Sequence, residues 1–524
     1  MNSQSAKTVT TEARNKSAIL KTSIFATGLA GIVAEYVIST LASYLLGNTI
    51  LQWTLVVSLM LFSMGLGSRI SRYIKNALLD SFIILEFLLS LVCASSALIA
   101  YTLSAYLETM ELVVYPLAML IGTLIGLEIP IATRLNDYYE ELRINVSAVL
   151  EKDYFGSLLG GIVFAFIALP YLGLTYTPIL LGGINFLVAA VLFWQFRELL
   201  RFRKVLTLAL AMVPLLLILL GFLAEPVVLF GEQKKYRDKV IFEMQTPYQR
   251  IVITQWKNDF WLYLNGNEQF SSFDEERYHE PLVHPAMLLA ASRKKVLILG
   301  GGDGLAAREV LKYPEVESVT LVDLDPQMTR LGQNYPLFVE LNRNSLNNPR
   351  VKILNQDAGV FLRESPELFD VILIDLPDPK TVELARLYTV QFYQLVALHL
   401  SRGGVAVTQA TSPFFSREAF LCIHKSMDKA GLTSLSYHNH IPTLGEWGWV
   451  LGMKGEGLSA EKLKQRLLES DYSKVETRFL NRDAALSMFH FGKDIYRDFE
   501  KIKPNDEMEL SLLQYYKNGL WDLY

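Results

Sequence analysis

The sequence predicts an α-helical multi-pass membrane domain, followed by an α/β Rossmann-like domain with a small β subdomain on its N-terminal side. Three observations predict it. Seven apolar stretches, each near the ~20 residues that cross a bilayer as a helix, fill the chain up to Leu223. From Lys295 to Asp325 an apolar run, a glycine turn, a helical stretch and a second apolar run follow one another. Beyond that unit the alternation continues, with an acid at the end of run after run. The expected division is a polar tail over 1–21, membrane helices over 22–226, the β subdomain over 227–285, the Rossmann-like domain over 286–455 and a C-terminal extension over 456–524.

Composition agrees with two dissimilar halves. The 524 residues are 51% hydrophobic and carry a net charge of −4, with a mean hydropathy of +0.26. That is too apolar for an ordinary soluble enzyme and too long for one domain. No basic excess marks a nucleic-acid partner. Cys93 and Cys422 lie far apart and make neither a disulfide framework nor a zinc site. His279 and His284 are five apart, which misses the spacing of a helical zinc pair, so both read as hydrogen-bonding residues and no metal is expected.

The polar start, with Lys7, Arg14, Lys16 and Lys21, precedes an apolar run too long for a cleavable signal. The stretches are roughly Thr22 to Leu46, Ile50 to Ile70, Ser81 to Leu107, Leu112 to Thr133, Tyr154 to Leu172, Tyr176 to Phe196 and Val205 to Leu223. Most have no polar face, unlike surface helices. Gly156 and Gly160, with Gly161 beside them, suit close helix packing in lipid. Arg69, Arg72 and Lys75, and again Arg201, Arg203 and Lys204, put their loops in the cytoplasm by the positive-inside rule, with Glu108 and Glu111 opposite. Seven crossings would leave the C-terminal domain outside, yet Lys234, Lys235, Arg237 and Lys239 argue for inside. One stretch is then expected not to cross, and the seventh, with Pro214, is the candidate for a re-entrant or broken helix. A nucleoside-dependent domain meets its ligand in the cytoplasm, which favours an inner-membrane protein with that domain on the cytoplasmic side. Glu35, Glu86 and Glu128 fall within the apolar stretches, where buried acids suggest cation passage or recognition. A structural reading puts Glu86 near a helix end and bonds Glu128 to backbone freed by Pro130.

In the second half, Ile251 to Thr254 and Trp261 to Leu264, bounded by Asn258-Asp259 and Asn265-Gly266-Asn267, predict a small antiparallel element. The polar, aromatic segment from Gln269 to Glu280 is placed to cover a ligand cleft, or else is a solvated helix start capped by Asp274. Strands are expected at Val296 to Leu299, Val319 to Val322, Val351 to Leu354, Val371 to Ile374 and Val405 to Gln409, and a helix from Leu305 to Tyr313 stopped by Pro314. The glycine turn carries an acid, Asp303, where a dinucleotide's pyrophosphate would sit. A carboxylate there repels phosphate, so the better ligand is a nucleoside with a positive tail such as a sulfonium. Asp323, about 20 residues on, can accept both ribose hydroxyls. Asp303, Asp323, Asp357 and Asp375 share the carboxyl edge of the sheet, and with Asp378 they make a cation-binding cleft.

The segment from about Phe242 to Lys454 resembles the spermidine synthases, or polyamine aminopropyltransferases. The resemblance rests on Tyr248-Gln249, Leu264 to Gln269 (LNGNEQ), Asp274 to Glu280 (DEERYHE), Gly300 to Gly304 (GGGDG) and Asp375 to Pro379 (DLPDP). Leu387 to Tyr393 (LYTVQFY) and Ile441 to Thr443 (IPT) add to it. The N-terminal region and Leu512 to Trp521 are similar to the bacterial membrane-anchored branch.

The resemblance implies a methyltransferase-type Rossmann-like fold. It also implies transfer of an aminopropyl group from decarboxylated S-adenosylmethionine, a co-substrate rather than a tightly bound cofactor, to a diamine, usually putrescine. Spermidine and methylthioadenosine would be the products. By similarity Asp375 is the base that takes the amine proton, with Tyr278 assisting. Gln269, Tyr278, His279, Asp303 and Asp378 line the acceptor and aminopropyl end. Gln249, Gly300, Gly302, Asp303, Asp323, Asp357 and Ala358 hold the nucleoside. Asp303 would bind the donor's ammonium and repel the carboxylate of intact S-adenosylmethionine. Partners would be the diamine, the lipid bilayer and, since soluble relatives are oligomers, a second copy of the chain.

Departures from the family pattern fall mostly at the acceptor end. Leu444 stands where soluble members usually have Tyr, and Lys380 to Arg386 differ from the soluble type. Asp323 and Ala358 replace the more usual Glu and Gly. Two other readings remain open at this stage: a methyltransferase using intact S-adenosylmethionine, and a membrane polyamine sensor or transporter with a regulatory nucleoside-binding domain.

Overall fold

The computed structural model describes residues 11–46, 49–107, 109–139 and 142–521. Lys7 and Glu108 lie outside them, as do the side chains of Lys234 and Lys235. The chain forms two compact units, 1–240 and 241–524.

The first unit is helical throughout. Its helices are α1 (Thr11–Leu46), α2 (Thr49–Ser71), α3 (Leu78–Ser104), α4 (Glu111–Asn136), α5 (Leu142–Val163), α6 (Gly173–Phe196) and α7 (Arg203–Lys235). A wide-turned helical segment, Phe164–Leu172, joins α5 to α6. By length and composition, six helical stretches are apolar enough to cross a membrane, 144–196 counting as one. The expected glycine packing is present: a Cβ on Gly156 would stand 2.1 Å from the Phe25 carbonyl oxygen, and one on Gly160 2.6 Å from that of Leu29. These glycines let the backbones of α1 and α5 approach.

The expectation of a broken seventh helix is corrected. α7 runs unbroken through Pro214 and Pro226. The irregularity lies instead at Phe164–Leu172, which contains Pro170 and ends at Gly173 with φ +62°. A proline removes one ladder bond, which a helix absorbs, whereas a left-handed glycine redirects the chain. Glu86 is fully buried in the body of α3, and Glu128 is buried beside the Thr27 hydroxyl.

The second unit opens with an antiparallel sheet in the order β1 (Lys239–Gln245), β2 (Arg250–Trp256), β3 (Asp259–Leu264), β4 (Asn267–Ser271). Asn265 (φ +51°) and Gly266 (φ +78°) form the two-residue turn between β3 and β4, the backbone that Asn-Gly favours. Next come α8 (Glu276–Leu289), β5 (Lys295–Gly300), α9 (Leu305–Leu311), β6 (Ser318–Val322), α10 (Pro326–Asn334), α11 (Pro336–Leu341), β7 (Val351–Leu354), α12 (Ala358–Glu364) and β8 (Phe369–Asp375). They are followed by α13 (Val382–Arg386), α14 (Val390–His399), β9 (Leu400–Gln409), α15 (Arg417–Lys429), β10 (Thr433–Ile441) and β11 (Gly445–Met453). The extension adds α16 (Ala460–Glu469), α17 (Arg482–Met488) and α18 (Ser511–Lys517).

The large sheet has the order β10-β11-β9-β8-β5-β6-β7. β9, β8, β5, β6 and β7 are parallel, and β11 and β10 close the β9 edge antiparallel. Chain order reverses on either side of β5, so the crevice between the ends of β5 and β8 is the switch point where such sheets bind ligands. The small sheet packs Ile251, Ile253 and Phe270 on Leu305, Met328 and Phe338, while α8 buries Leu282, Val283 and Met287 in the core of the large sheet.

Candidate active site

Two strand ends build the centre. Gly300 closes β5 and pairs with Asp375 at the end of β8. A Cβ on Gly300 would lie 2.0 Å from the Asp375 carbonyl oxygen, and its φ is +87°. Only glycine permits both, so the turn hugs the strand that carries the acid. Tyr278, on α8, donates its hydroxyl to Asp375 Oδ1 at 2.7 Å. Next to it on the helix, His279 uses Nδ1 on the Glu275 carboxylate at 2.8 Å, and Arg308 Nη1 and Nη2 grip the same carboxylate at 2.6 and 3.0 Å.

Ligating atoms of His279, Asp303 and Asp375 lie within 4.8 Å of one another. That spacing can hold a cation, and the surroundings of the trio bear on its charge. Burial disfavours a charged His279, yet its bond to Glu275, the charge of Glu275 and those of Asp303 and Asp375 outweigh it and raise the pKa to about 9. Burial likewise raises Asp375 to about 6, with His279 and the Tyr278 bond opposing and Asp303 reinforcing. Asp303 is raised too, by burial, against the pull of His279. Burial and the charge of Asp375 hold Tyr278 well above the usual phenol range, so it remains a donor. The cluster thus sets two buried acids beside His279, a setting that accepts an ammonium or sulfonium and can take up a proton.

On the nucleoside side, Asp323 Oδ2 accepts from Gly302 N at 3.0 Å and Oδ1 from Asp325 N at 2.8 Å. A Cβ on Gly302 would stand 2.6 Å from Asp323 Oδ2, so the glycine lets the turn rest on the acid. Burial raises Asp323 to about 7. Asp303 Oδ1 accepts from Leu305 N at 2.7 Å at the start of α9. Gln249 is not free: its amide donates to Asp325 Oδ2 at 3.0 Å, and Asp325 also caps α10 through Gln327 N at 2.9 Å. Asp357 caps α12 through Val360 N at 2.8 Å, with Ala358 buried behind it. Gln269 bonds the carbonyls of Asn267 and Glu268 on its own strand.

Asp378 is half-buried on the loop after β8. Oδ2 accepts from the Tyr516 hydroxyl at 2.8 Å and Oδ1 from Gln409 Nε2 at 3.2 Å. Gln409 also donates to the Leu376 carbonyl at 2.8 Å. Tyr516 and Gln409 escaped the sequence reading. Gln409 ends an expected strand on the same edge as the acids, which is a usable signal. Tyr516 lies in the Leu512 to Trp521 stretch singled out by resemblance, but its partner is 138 residues away, so the bond to Asp378 was not legible. The expectation that Asp274 caps α8 is corrected: its carboxylate accepts from Thr443 N and Oγ1, both at 2.9 Å, tying down the turn between β10 and β11. Leu444, beside it, is buried in the core of the large sheet.

Residues 275–463 match the family model described as spermine/spermidine synthase domain. Polyamine aminopropyltransferase 2 of Aquifex aeolicus (strain VF5) is 42% identical over 501 residues, which cover 95% of this chain and 98% of that protein. The chain belongs to the polyamine aminopropyltransferase family. A second relative in this family, the polyamine aminopropyltransferase of Leptospira interrogans, is 40% identical over 488 residues, covering 93% of this chain and 95% of its own. A solved spermidine synthase from Thermotoga maritima is 27% identical and covers 50% of this chain and 88% of its own, with a TM-score of 0.45. The protein is therefore an enzyme of the aminopropyltransferase class, whose members use decarboxylated S-adenosylmethionine as co-substrate. In this aminopropyltransferase the catalytic domain's C-terminal extension reaches the cleft, through Tyr516.

Proposed function

We propose that the enzyme transfers the aminopropyl group of decarboxylated S-adenosylmethionine to a diamine, putrescine, giving spermidine and methylthioadenosine. The observation that carries this reading is Asp375, bonded by Tyr278 at the switch point and grouped with Asp303 and His279. In the step, the amine lone pair attacks the aminopropyl carbon bonded to the sulfonium. The carbon–sulfur bond breaks and its electron pair stays on sulfur, leaving a neutral thioether. The attacking lone pair is free because Asp375 has taken the proton of the substrate ammonium as it is aligned, and the product carries its own charge as a secondary ammonium. An alkyl amine has a pKa near 10.4, so the base must meet the amine as it loses its proton. Tyr278 fixes which carboxylate oxygen faces the amine. Asp303 binds the donor's ammonium, Asp323 its ribose, and Asp357, Ala358 and Gln249 frame the base. Gln269 and Asp378 hold the acceptor.

The helical unit, in this reading, lies in the inner membrane, with the catalytic domain on the cytoplasmic side where the nucleoside donor is made. Supporting this are the six apolar helical stretches and the exposed Leu208, Leu215, Ile218 and Phe222 along α7, which lipid would cover. A homodimer is proposed on family resemblance alone.

Asp375→Asn tests the base. It keeps the shape and removes the proton acceptor, so kcat should fall by about 10³-fold with donor affinity within a few-fold of wild type. Turnover close to wild type would remove Asp375 from that role.

A further inference from the structure

Lys380 follows the DLPDP segment and is half-buried. Its backbone N–H donates to the Asp378 carbonyl at 2.7 Å, so a tight turn brings it back toward Asp378. Its ammonium donates to Oδ1 of Asn267, the first residue of β4. It stands 5.8 Å from the centroid of the Tyr516 ring, and the charge of Asp378 lies near enough to favour its charged form. Asn267 and the Tyr516 ring thus hold a primary ammonium on an alkyl stem, supplied by the chain itself, near Asp378, to which Tyr516 is bonded. An amide oxygen, a carboxylate and an aromatic face are the groups that bind the free end of an alkyl diammonium.

We infer that Lys380 is a specificity-determining residue whose tethered ammonium fills the seat of the acceptor's far amine, so that a diamine must displace it to bind. The inference rests on the proposed transfer to a diamine. The amine that reacts belongs at Asp375 and the far amine at Asp378, three residues along the same loop. An ammonium arriving at Asp378 meets the tethered one close by, and like charges repel, so the lysine side chain competes with every diamine and raises the threshold for binding. Burial lowers the pKa of Lys380 while Asp378 opposes it, so its charge is held less firmly than that of an exposed lysine. That suits a group that must give way. A lysine acting only as a strut between β4 and the loop would instead favour binding by holding the pocket in shape.

Two variants separate these roles. Lys380→Met keeps the stem and removes the charge, and Lys380→Arg keeps the charge. With saturating decarboxylated S-adenosylmethionine, the KM for the diamine that the wild type uses best should fall about tenfold in Lys380→Met and stay within about twofold in Lys380→Arg. Inhibition by n-butylamine, which has no far ammonium, should not tighten in step. An unchanged or higher diamine KM in Lys380→Met would overturn the inference, as would equal tightening for both amines. If the wild type releases methylthioadenosine, such a result removes the lysine's role alone. If the wild type releases none with any diamine, the transfer reading falls and the inference with it.

Discussion

In the proposed transfer Asp375 is the base, and its surroundings fix its pH behaviour. Burial raises its pKa to about 6, while His279 and the Tyr278 bond limit the rise. The base works when ionised, so kcat/KM should climb as pH rises through about 6 and level off above it, until ionisation of the amine itself adds a further rise. Removing the His279 charge by His279→Gln takes away the group that holds Asp375 down, so the acid limb should move upward in pH. A limb that stays in place, read from initial rates between pH 5 and 8, would contradict this assignment. At this scale the sequence was legible where one residue type answers one need. Gly300 with φ +87° against the Asp375 carbonyl and Asp303 in the turn could both be picked out. Gln249 was identified, but not its bond to Asp325, because two acids two residues apart at one strand end look alike in sequence.

At the scale of elements, the parallel core follows from short apolar runs between glycine and acid, and β5, β6, β7 and β8 lie where those runs are. β10 and β11 were missed. Thr433–Ile441 carries Ser434, Ser436, His438 and Asn439, whose polarity hides a strand that buries Tyr437 and Leu435. The expected cap by Asp274 failed because an acid before a helix and an acid bonding a distant turn have the same local sequence. Glu280 shows the same limit. It ends the DEERYHE segment, yet its carboxylate accepts from Arg478 N at 2.6 Å, Phe479 N at 2.9 Å and Leu480 N at 2.7 Å. Three backbone donors from the extension converge on one buried acid. Glu280→Gln would replace acceptor oxygen by a donor there, and should destabilise the protein by about 2–3 kcal/mol. Denaturation of the detergent-solubilised protein would show this as a lower midpoint for the second unit. A midpoint equal to wild type would mean the extension is held by its apolar contacts, such as Leu463 and Leu467.

For the whole molecule, composition foretold two unlike halves, and the chain divides at 240 into a helical unit and an α/β unit. Seven apolar stretches were expected; the chain forms seven long helices there, and by length and composition six helical stretches are apolar enough to cross a membrane. Which stretch is irregular was not legible, since Pro214 and Pro170 are equal signals until neighbouring turns decide. The central claim is that the α/β unit moves an aminopropyl group and nothing else from the nucleoside donor. Asp303 would meet the carboxylate of intact S-adenosylmethionine with like charge in a buried cleft, so only the decarboxylated donor should react. The most direct measurement incubates the detergent-purified full chain with either donor and a panel of diamines, and follows products by mass spectrometry. Methylthioadenosine and an aminopropylated amine, with putrescine the best acceptor, are expected from the decarboxylated donor alone. A methylated amine from the intact donor, or no transfer to any amine while donor still binds, would contradict it.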